Sequence, residues 1–418
     1  MAEPGQSIDS GRAAFQYPNF VLFQTARFCM VLAMEMQSVA VGWQVYEITK
    51  RPLDLGLVGL VQFLPGILLF LVSGHVADRH DRRKLIVICY LGYGVCFGLL
   101  LLSAIRGAGS VFFIFVILAV LGIARAFNAP VSRAIVPQLV PEEVFPNAVA
   151  WASTMFQGAA ILGPALGGII YAAFRGPAAV YVLAIAMTIV AVTCTLKMKL
   201  ERRSRAREPV NWTTVLAGLR YIWREKVVLG SISLDLFAVF LGGAVALLPV
   251  YAREILLTGP WGLGLLRTAP GVGAAAMAVF LAHRPFRRKA GLIMLWCVAG
   301  FGFFTILFGL SRSLTLSLLA LFFVGATDMV SVIVRAILIQ VATPDEMRGR
   351  VNAVDMVFIG ASNEFGEFES GLTAQWFGTV PAVVIGGIGT LVVTALWAWR
   401  FPELRKVEQV HSLPSRPA

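Results

Sequence analysis

The stretch "VYEITKRPLDLGLVGLVQFLPG", from Val45 to Gly66, decides the fold because it returns 205 residues later in the same chain. The second copy, "VYAREILLTGPWGLGLLRTAPG", runs from Val250 to Gly271 and matches at Val-Tyr, at one inner glycine and at the closing Pro-Gly pair. A repeat on this scale predicts two halves that share one fold. Without a gap, the match then extends into a basic loop, where Arg79, Arg82, Arg83 and Lys84 align with Arg284, Arg287, Arg288 and Lys289.

Hydropathy around the repeat places the chain in a membrane. Hydrophobic residues make up 58% of the 418 residues, and the mean hydropathy is +0.79. Because a spanning helix needs about 20 mostly apolar residues, we predict twelve transmembrane helices, six in each of two pseudo-symmetric bundles, as an all-α integral membrane protein. The predicted spans are 18–45, 54–77, 84–105, 109–131, 145–174, 177–197, 227–252, 260–282, 290–310, 313–340, 350–377 and 380–400.

The basic residues predict the orientation of these spans. With the N-terminus in the cytoplasm, 25 of the 35 Lys and Arg lie on the cytoplasmic side, six lie outside and four lie within spans. This asymmetry follows the positive-inside rule, so the net charge of +12 indicates membrane topology and not nucleic-acid binding. We therefore expect a multi-pass protein with both termini in the cytoplasm and no cleavable signal peptide.

Domain boundaries follow from the spans and the charge. We predict an N-terminal tail over 1–17, bundles over 18–197 and 227–401, a basic cytoplasmic linker over 198–226, and a C-terminal tail over 402–418. Within the linker, "NWTTVLAGLRYIWRE" has the pattern of an amphipathic helix that lies on anionic headgroups. A linker whose charges only fix the topology is an equally good interpretation.

Cysteine and histidine usage predicts neither a metal site nor a cofactor. The five cysteines are scattered inside predicted spans without CxxC spacing, and the four histidines form no HxxxH pair. Packing is therefore the expected role of the cysteines.

The loop after the second span carries the most informative motif. "GHVADRHDRRKL", with Gly74, Asp78, Arg79, Arg82 and Arg83, resembles the signature loop of the major facilitator superfamily. Asp81 stands where that family usually has glycine, and the second copy is degenerate. The resemblance implies a latch that holds the two halves shut on the cytoplasmic side. An Arg cluster that only enforces topology is the alternative for Arg82 and Arg83.

Three further stretches resemble the enterobactin-exporter and macrolide-efflux branch of that superfamily. They are "PQLVPEEVFPNAVAW", "ILGPALGGIIY" and "NEFGEFESGLTA", and the resemblance covers residues 18–400. It implies a bacterial inner-membrane protein, expected to be a monomer, that exports a small organic molecule such as a siderophore or an antibiotic in exchange for protons. The "GPALGG" stretch, with Gly163, Pro164, Gly167 and Gly168, resembles the antiporter motif of the superfamily's exporters, although Gly158 lies one residue out of register.

Charged residues inside the spans are the candidate functional groups, because a charge at the bilayer centre costs about 2.5–3.5 kcal/mol on insertion scales. In the first span, Gln24, Arg27, Glu35 and Ser38 are spaced three or more residues apart along one face, so they are expected to line water. Glu35 is the acid we favour for proton coupling. A structural ion pair with Arg27, or with an arginine of another span, is the alternative.

The fourth and tenth spans carry a second constellation. Arg125, Asn128 and Ser132 share a face, and 203 residues later they align with Asp328, Ser331 and Arg335. The resemblance associates an arginine of the fourth span with proton transfer. Arg133 and Arg335 are expected to be anchors near the cytoplasmic end, and Asp235 has no evident partner in its own span. The proton-coupling candidates are thus Glu35, Arg125, Asp235 and Asp328, and the substrate-cavity candidates are Gln24, Arg27, Ser38, Asn128, Gln157 and Arg267.

The eleventh predicted span is unusually acidic. Asp355 and Glu364 lie on opposite faces of it, so some of its acids are expected to serve contacts between helices.

These features favour a secondary transporter over the other classes. The sequence contains no Walker A stretch for an ATP-driven pump, and it lacks the clustered ligands or the nucleophile of a membrane enzyme. An importer or facilitator of a small nutrient, and a transporter-like sensor that moves nothing, remain alternatives. We predict alternating access about a midplane cavity, in which inward proton movement through Glu35, Arg125 and Asp235 drives substrate outward.

Overall fold

The computed structural model describes residues 11–107, 110–199, 212–284 and 289–406, apart from the side chains of residues 70, 71, 78 and 212–215. Within these ranges the chain is helical, with no β-strand. The first helices are α1 (Pro18–Thr49), α2 (Pro52–Leu68), α3 (Phe70–Arg79), α4 (Arg82–Arg106), α5 (Val111–Ile135), α6 (Phe145–Ala173) and α7 (Ala178–Lys197). The others are α8 (Trp212–Arg224), α9 (Lys226–Leu241), α10 (Leu248–Val250), α11 (Gly259–His283), α12 (Ala290–Leu310), α13 (Leu314–Ala342), α14 (Asp345–Phe377), α15 (Thr379–Arg400) and α16 (Pro402–Arg405).

The helices agree with twelve crossing segments, although only ten described segments are both long and apolar enough to span a bilayer by themselves. The predicted second span is divided into α2 and α3 at Leu69, four residues after Pro65, which lies inside α2. Proline lacks the N–H that would bond the carbonyl oxygen four residues before it, so Pro65 loosens α2 one turn before its own position, while the Leu69 N–H still donates to the Pro65 carbonyl oxygen at 2.9 Å. The predicted eleventh span is α14, which is 33 residues long but rich in charged residues.

The described helices pack into two compact units. Unit 1 comprises residues 1–38 and 64–209, and its core is built around α4, which packs against α5 and α7. Fully buried Phe97 and Leu100 of α4 and Ile114 and Leu121 of α5 supply the apolar surface that holds these helices together. The 3₁₀ turn Ala13–Gln16 packs against α6, so the end of the N-terminal tail is part of this unit.

Unit 2 comprises residues 39–63 and 210–418, so the ends of α1 and α2 that flank their connecting loop pack with the second repeat. In this unit α13 lies along α11 and α12, and α9 contacts α14 and α15. A Cβ atom built on Gly325 would lie 1.9 Å from the carbonyl oxygen of Pro270, so the backbones of α11 and α13 are in direct contact. Small residues permit this close approach between membrane helices.

The seventh span is interrupted, whereas the sequence predicted a continuous helix over 227–252. Helix α9 ends at Leu241, and Gly242 and Gly243 precede a 3₁₀ turn over Ala244–Leu247. The chain then continues through α10 into a π-helical turn over Tyr251–Ile255. The interruption brings the backbones together, since a Cβ atom on Gly243 would lie 2.8 Å from the carbonyl carbon of Gly366 in α14.

The predicted linker contains α8, which packs against α9 and α14. Gly218 lies against the backbone of Arg350, and the Tyr221 hydroxyl donates a hydrogen bond of 2.5 Å to the carbonyl oxygen of Ala342. The opposite face leaves Leu216 and Trp223 exposed. One face of this helix therefore rests on protein. Residues 1–10, 200–211 and 407–418 of the predicted tails and linker lie outside the described residues.

Candidate functional site

The signature loop holds unit 1 together through its charged residues. The Asp81 carboxylate accepts hydrogen bonds from the backbone N–H groups of Arg83 and Lys84, at 3.0 and 3.3 Å, and so caps α4. Arg82 Nη1 donates to the carbonyl oxygen of Ala134 at 2.8 Å, and Arg83 Nε donates to that of Thr195 at 3.1 Å. These arginines therefore bind the carbonyl ends of α5 and α7, which suits cations because that end of a helix carries partial negative charge.

The other latch candidates are Gly74, Asp78 and Arg79. Arg79 is exposed, and a Cβ atom on Gly74 would meet nothing within 4 Å, so no close contact requires glycine there. The side chain of Asp78 lies outside the described part of the chain. Asp81, where the family usually has glycine, proved to be a helix cap that the sequence analysis missed, and its position directly before α4 was the available signal.

The polar stripe of α1 lies partly inside unit 1. Gln24 is 1% exposed, and neither its amide oxygen nor its amide nitrogen has a hydrogen-bond partner among the described residues. The Arg27 guanidinium stacks over the Phe156 ring of α6 at 5.4 Å. Glu35 and Ser38 are half-buried. An unpaired amide in such a place costs free energy that a water molecule or a bound polar group can recover.

The glycines of the "GPALGG" stretch bring α6 against α1. A Cβ atom on Gly163 would lie 2.4 Å from Cβ of Glu35, and one on Gly167 would lie 2.8 Å from Cα of Met36. Gly163, Gly167, Pro164 and Gly168 are all buried. The contact therefore holds the Glu35 backbone in place, whatever the role of its carboxylate.

The stripe on α5 differs from the one on α1 because its charge is exposed. Arg125 is exposed in the middle of the helix, and Gln157 of α6 is exposed as well. Asn128 is half-buried and accepts a hydrogen bond of 3.2 Å from the Ser132 hydroxyl. Among the described residues, Arg125 takes part in no ion pair. A guanidinium at this depth is costly in lipid.

The densest group of charges lies in unit 2, on α9, α13 and α14. Arg335 forms a buried ion pair with Asp235 and contacts Asp355, with 3.8 Å between Nη1 and Oδ1. Asp235 and Arg335 are 5% and 3% exposed. Asp328 lies at the midpoint of α13 and is half-buried, seven residues before Arg335 and so on the same face of that helix. We call Asp235, Asp328, Arg335 and Asp355 the carboxylate cluster.

The carboxylate cluster corrects the expected role of Arg335 and identifies the partner of Asp235. The prediction that Arg335 is an anchor was wrong, because its guanidinium is buried against two carboxylates. Asp235, which has no partner in its own span, pairs with this residue across 100 positions of sequence. Helical spacing indicates which face a residue occupies but not which helix covers that face. Arg267 of α11 is half-buried.

The other acids of α14 contact different neighbours, as the opposite faces of Asp355 and Glu364 predicted. A Cβ atom on Gly59 of α2 would lie 2.6 Å from Oε2 of Glu364 and 2.8 Å from Oε2 of Glu367, so both carboxylates pack against α2. Glu369 accepts a hydrogen bond of 2.7 Å from the Thr373 hydroxyl. The span 11 acids therefore do not converge on one site.

The two copies of the repeated stretch touch each other at the predicted outer side. The Tyr46 hydroxyl donates a hydrogen bond of 2.5 Å to Oε1 of Glu254. Next to it, the Arg253 guanidinium lies 3.6 Å from the Glu47 carboxylate and 5.6 Å from the centre of the Trp43 ring. The sequence analysis missed these contacts. The available signal was the opposite charge of Glu47 and Arg253, which lie one and two residues after the two Val-Tyr pairs.

Potential metal ligands are scattered in the described residues. Over the described ranges, no group of His, Cys, Asp and Glu side chains is arranged to hold a metal ion, and the five cysteines are free thiols.

Comparison with known proteins agrees with this architecture. Residues 9–417 match the family described as transmembrane secretion effectors, within the major facilitator superfamily. The chain is 26% identical over 403 residues to the enterobactin exporter EntS of Citrobacter koseri, a match that covers 95% of each protein. It is likewise 26% identical over 398 residues to the enterobactin exporter EntS of Escherichia coli O81, covering 94% of each.

Solved structures show the same fold at low identity. A bacterial homologue of the human lysosomal transporter Spinster, in an inward-facing and occupied conformation, superimposes with a TM-score of 0.73 at 13% identity, over 93% of this chain and 98% of that one. The nucleoside transporter NupG superimposes with a TM-score of 0.70 at 14% identity, over 92% and 100%. The predicted all-α transporter fold is therefore confirmed.

Proposed function

The chain belongs to the transmembrane secretion effector family of the major facilitator superfamily, and from that premise we propose that it exports a small organic molecule of the enterobactin type by proton antiport. The observation that carries this proposal is the end-to-end match to enterobactin exporters, because it covers both halves of the fold. Export of another siderophore or of an antibiotic is the nearest variant of the same function. A bacterial inner membrane, with both termini in the cytoplasm, is part of the proposal.

Proton coupling is supported by the ionisable residues of the spans. Membrane helices rarely contain such residues unless they pair, face water or carry a proton. Asp235 is buried with Arg335, and Arg125 is exposed in the middle of its helix. Protons moving inward by way of Glu35, Arg125, Asp235 or Asp328 would drive substrate outward as the protein alternates between two openings.

Substrate contact is proposed for the polar residues of unit 1. Gln24 offers a buried amide that has no hydrogen-bond partner within the described ranges, and Arg27 and Phe156 form a stacked cation and ring. Ser38, Asn128 and Gln157 provide further hydrogen-bonding groups, and Arg267 is the corresponding candidate in unit 2. Aromatic and amide groups of this kind suit a bulky, partly apolar ligand with polar edges.

Conformational control is proposed for both membrane faces. On the predicted cytoplasmic side, Gly74, Asp78 and Arg79 would latch one state, while Arg82 and Arg83 hold the helix ends on which that latch acts. On the predicted outer side, the hydrogen bond from Tyr46 to Glu254 would keep the end of α1 and the π-helical turn together within unit 2. We expect the protein to work as a monomer.

Transport of enterobactin into inverted membrane vesicles tests the function. Vesicles that contain the protein and are energised to be acid inside should accumulate enterobactin, and an uncoupler should abolish the accumulation. Vesicles with the exposed-pair variant Glu403→Gln are the matched control and should behave as the wild type does. Uptake that is unchanged by the uncoupler would contradict antiport, and an absence of gradient-dependent uptake of both enterobactin and macrolides would contradict the substrate class.

A further inference from the structure

The carboxylate cluster of unit 2 contains more negative charge than its arginine can neutralise. Asp235 and Asp355 contact a single cation, Arg335, and Asp328 lies on the same face of α13 as that arginine, so the fully ionised group would carry two uncompensated negative charges. Uncompensated charge is costly inside a membrane protein, because attraction to one partner cannot replace the hydration of several ions. The group therefore reaches neutrality only by taking up protons.

Position within the cluster separates the roles of the three acids. Asp235 is bonded to Arg335, and Asp355 contacts the same guanidinium. Asp328 lies seven residues before Arg335 on α13, which is about 10 Å along the helix, so it is the acid that Arg335 neutralises least. It is also half-buried at the midpoint of its helix.

A second observation indicates that this face of α13 receives a ligand. Ser331 lies between Asp328 and Arg335 on the same helix face, three residues after the first and four before the second. Its side chain is 2% exposed, and its hydroxyl has no hydrogen-bond partner among the described residues. One carboxylate oxygen of Asp355 is likewise buried without a hydrogen bond there. Unpaired polar atoms on a charged face are sites where a protonated carboxyl, which is both donor and acceptor, gains partners.

The other elements packed against α13 contribute few titratable groups. Helix α9 supplies Asp235, with Lys226 at its start, and α12 contains only Cys297. Helix α11 contains Arg267 within the span and His283 at its end. The remaining charged residues of α14 are Asp345, Glu346, Arg348, Arg350, Glu364, Glu367 and Glu369, of which Glu364 and Glu367 pack against α2.

We propose that Asp328 is the proton-binding residue of this transporter, positioned by Ser331 and by the ion pair of Arg335 with Asp235 and Asp355. The carboxylate takes a proton from water on one side to become a neutral acid, and it returns that proton to water on the other side as the substrate is exchanged. Arg335 moves from Asp235 towards Asp355 as the charge balance changes. This inference rests on the proposed antiport and assigns the coupling to unit 2, not to Glu35 or Arg125 of unit 1.

Asp328→Asn tests the assignment because the amide mimics the protonated acid. In liposomes that contain the purified full chain, this variant should lose gradient-driven accumulation of enterobactin by about tenfold or more. It should keep gradient-free exchange of enterobactin close to the wild-type rate, which also shows that it folds. Asp328→Glu should retain coupling, and Glu403→Gln should match the wild type. Gradient-driven accumulation by Asp328→Asn at the wild-type level would overturn the inference.

A measurement without substrate separates this inference from the proposed function. Infrared spectra of the purified protein should show a protonated-carboxyl band that fades as the pH rises, and Asp328→Asn should lack that component. An identical titration in both proteins would overturn the assignment even if transport were proton-driven. If the wild type does not accumulate enterobactin on a gradient, the proposed function fails, and the infrared result still decides whether Asp328 binds a proton.

Discussion

Helices α5 and α13 occupy equivalent places in the two repeats, yet Arg125 of α5 is exposed and Arg335 of α13 is buried in an ion pair. On α5, Arg125 is exposed and its stripe continues as a hydrogen bond between Asn128 and Ser132. On α13, the aligned positions hold a half-buried acid, a buried serine without a hydrogen-bond partner in the described part of the chain, and Arg335, which is buried against two carboxylates. The repeat has kept the scaffold while the electrostatics have diverged.

The difference indicates that the two units have different roles in transport. Unit 1 offers the buried amide of Gln24 and polar groups that are exposed or half-buried, with Arg27 stacked on the Phe156 ring, which suits a substrate whose contacts must form and break. Unit 2 concentrates charge on buried and half-buried side chains, which suits the uptake and release of a proton.

Loss of Arg335 should have the largest effect on stability. Arg335→Gln leaves Asp235 and Asp355 buried without their cation, so the free energy of unfolding should fall by about 3–5 kcal/mol. The equivalent change in unit 1, Arg125→Gln, should shift it by only about 0.5 kcal/mol, because that side chain is exposed. Thermal unfolding of the purified proteins in detergent measures both.

The double variant Asp235→Asn with Arg335→Gln is the control for that comparison. It removes both members of the ion pair, so much of the lost stability should return. Equal destabilisation by Arg335→Gln and Arg125→Gln would show that the two helices do not differ as described.

The close packing of α1 against α6 in unit 1 predicts the second-largest loss of stability. Gly163→Ala places a Cβ atom 2.4 Å from Cβ of Glu35, so α1 and α6 must separate, at a cost of about 1–3 kcal/mol. Gly158→Ala on the same helix meets nothing within 4 Å and should be neutral or stabilising by up to about 1 kcal/mol. The same unfolding assay applies. A tolerated Gly163→Ala would mean that these helices do not approach as closely as the structure shows.

The outer contact between the repeat copies should show a smaller coupling. In a double-mutant cycle of Tyr46→Phe and Glu254→Gln, the hydrogen bond to the carboxylate should appear as a coupling energy of about 1.5 kcal/mol. The cycle is measured by thermal unfolding of the four proteins. Strictly additive effects would show that these ends of α1 and of the π-helical turn are not joined.

The smallest expected change in stability concerns the linker helix α8, and this change depends on pH. Burial, together with the nearby Glu225 carboxylate, raises the pKa of Tyr221. A raised pKa means that the neutral hydroxyl stabilises the docked helix at ordinary pH, and that this stabilisation is lost as the pH rises above about 10. Tyr221→Phe should cost up to about 1 kcal/mol and remove this pH dependence.

Protease sensitivity of the linker between pH 8 and pH 11 measures that change. The wild type should become more sensitive at the alkaline end, and Tyr221→Phe should start higher and change less. Parallel curves for the two proteins would rule out Tyr221 as the titrating group.

Much of the fold could be predicted from the sequence, because the repeat fixes the number of halves and hydropathy fixes the crossing segments. The exceptions are segments where local chemistry interrupts the apolar pattern. Pro65 precedes the break between α2 and α3, and two glycines interrupt the seventh span. Hydropathy averages over such positions, so it predicted continuous helices.

The site was less accessible to sequence reasoning. The face shared by Asp328, Ser331 and Arg335 follows from helical spacing, but the partner of Arg335 does not, because Asp235 lies 100 residues away. The position of Arg335 near the cytoplasmic end of its span suggested an anchor. In the structure its side chain is buried by contacts with residues of other helices. Similarly, Asp81 departs from the family pattern and became a helix cap, which only the geometry of its carboxylate reveals.

The proton flux that accompanies enterobactin transport tests the division between the two units most directly. Inverted vesicles that are acid inside should lose part of their gradient when enterobactin is added to the wild-type protein, as a pH-sensitive dye reports. Arg125→Gln should retain the same proton movement per enterobactin taken up, whereas Asp328→Asn should take up enterobactin without moving protons. Loss of proton movement in Arg125→Gln together with its retention in Asp328→Asn would place the coupling in unit 1 and contradict the account.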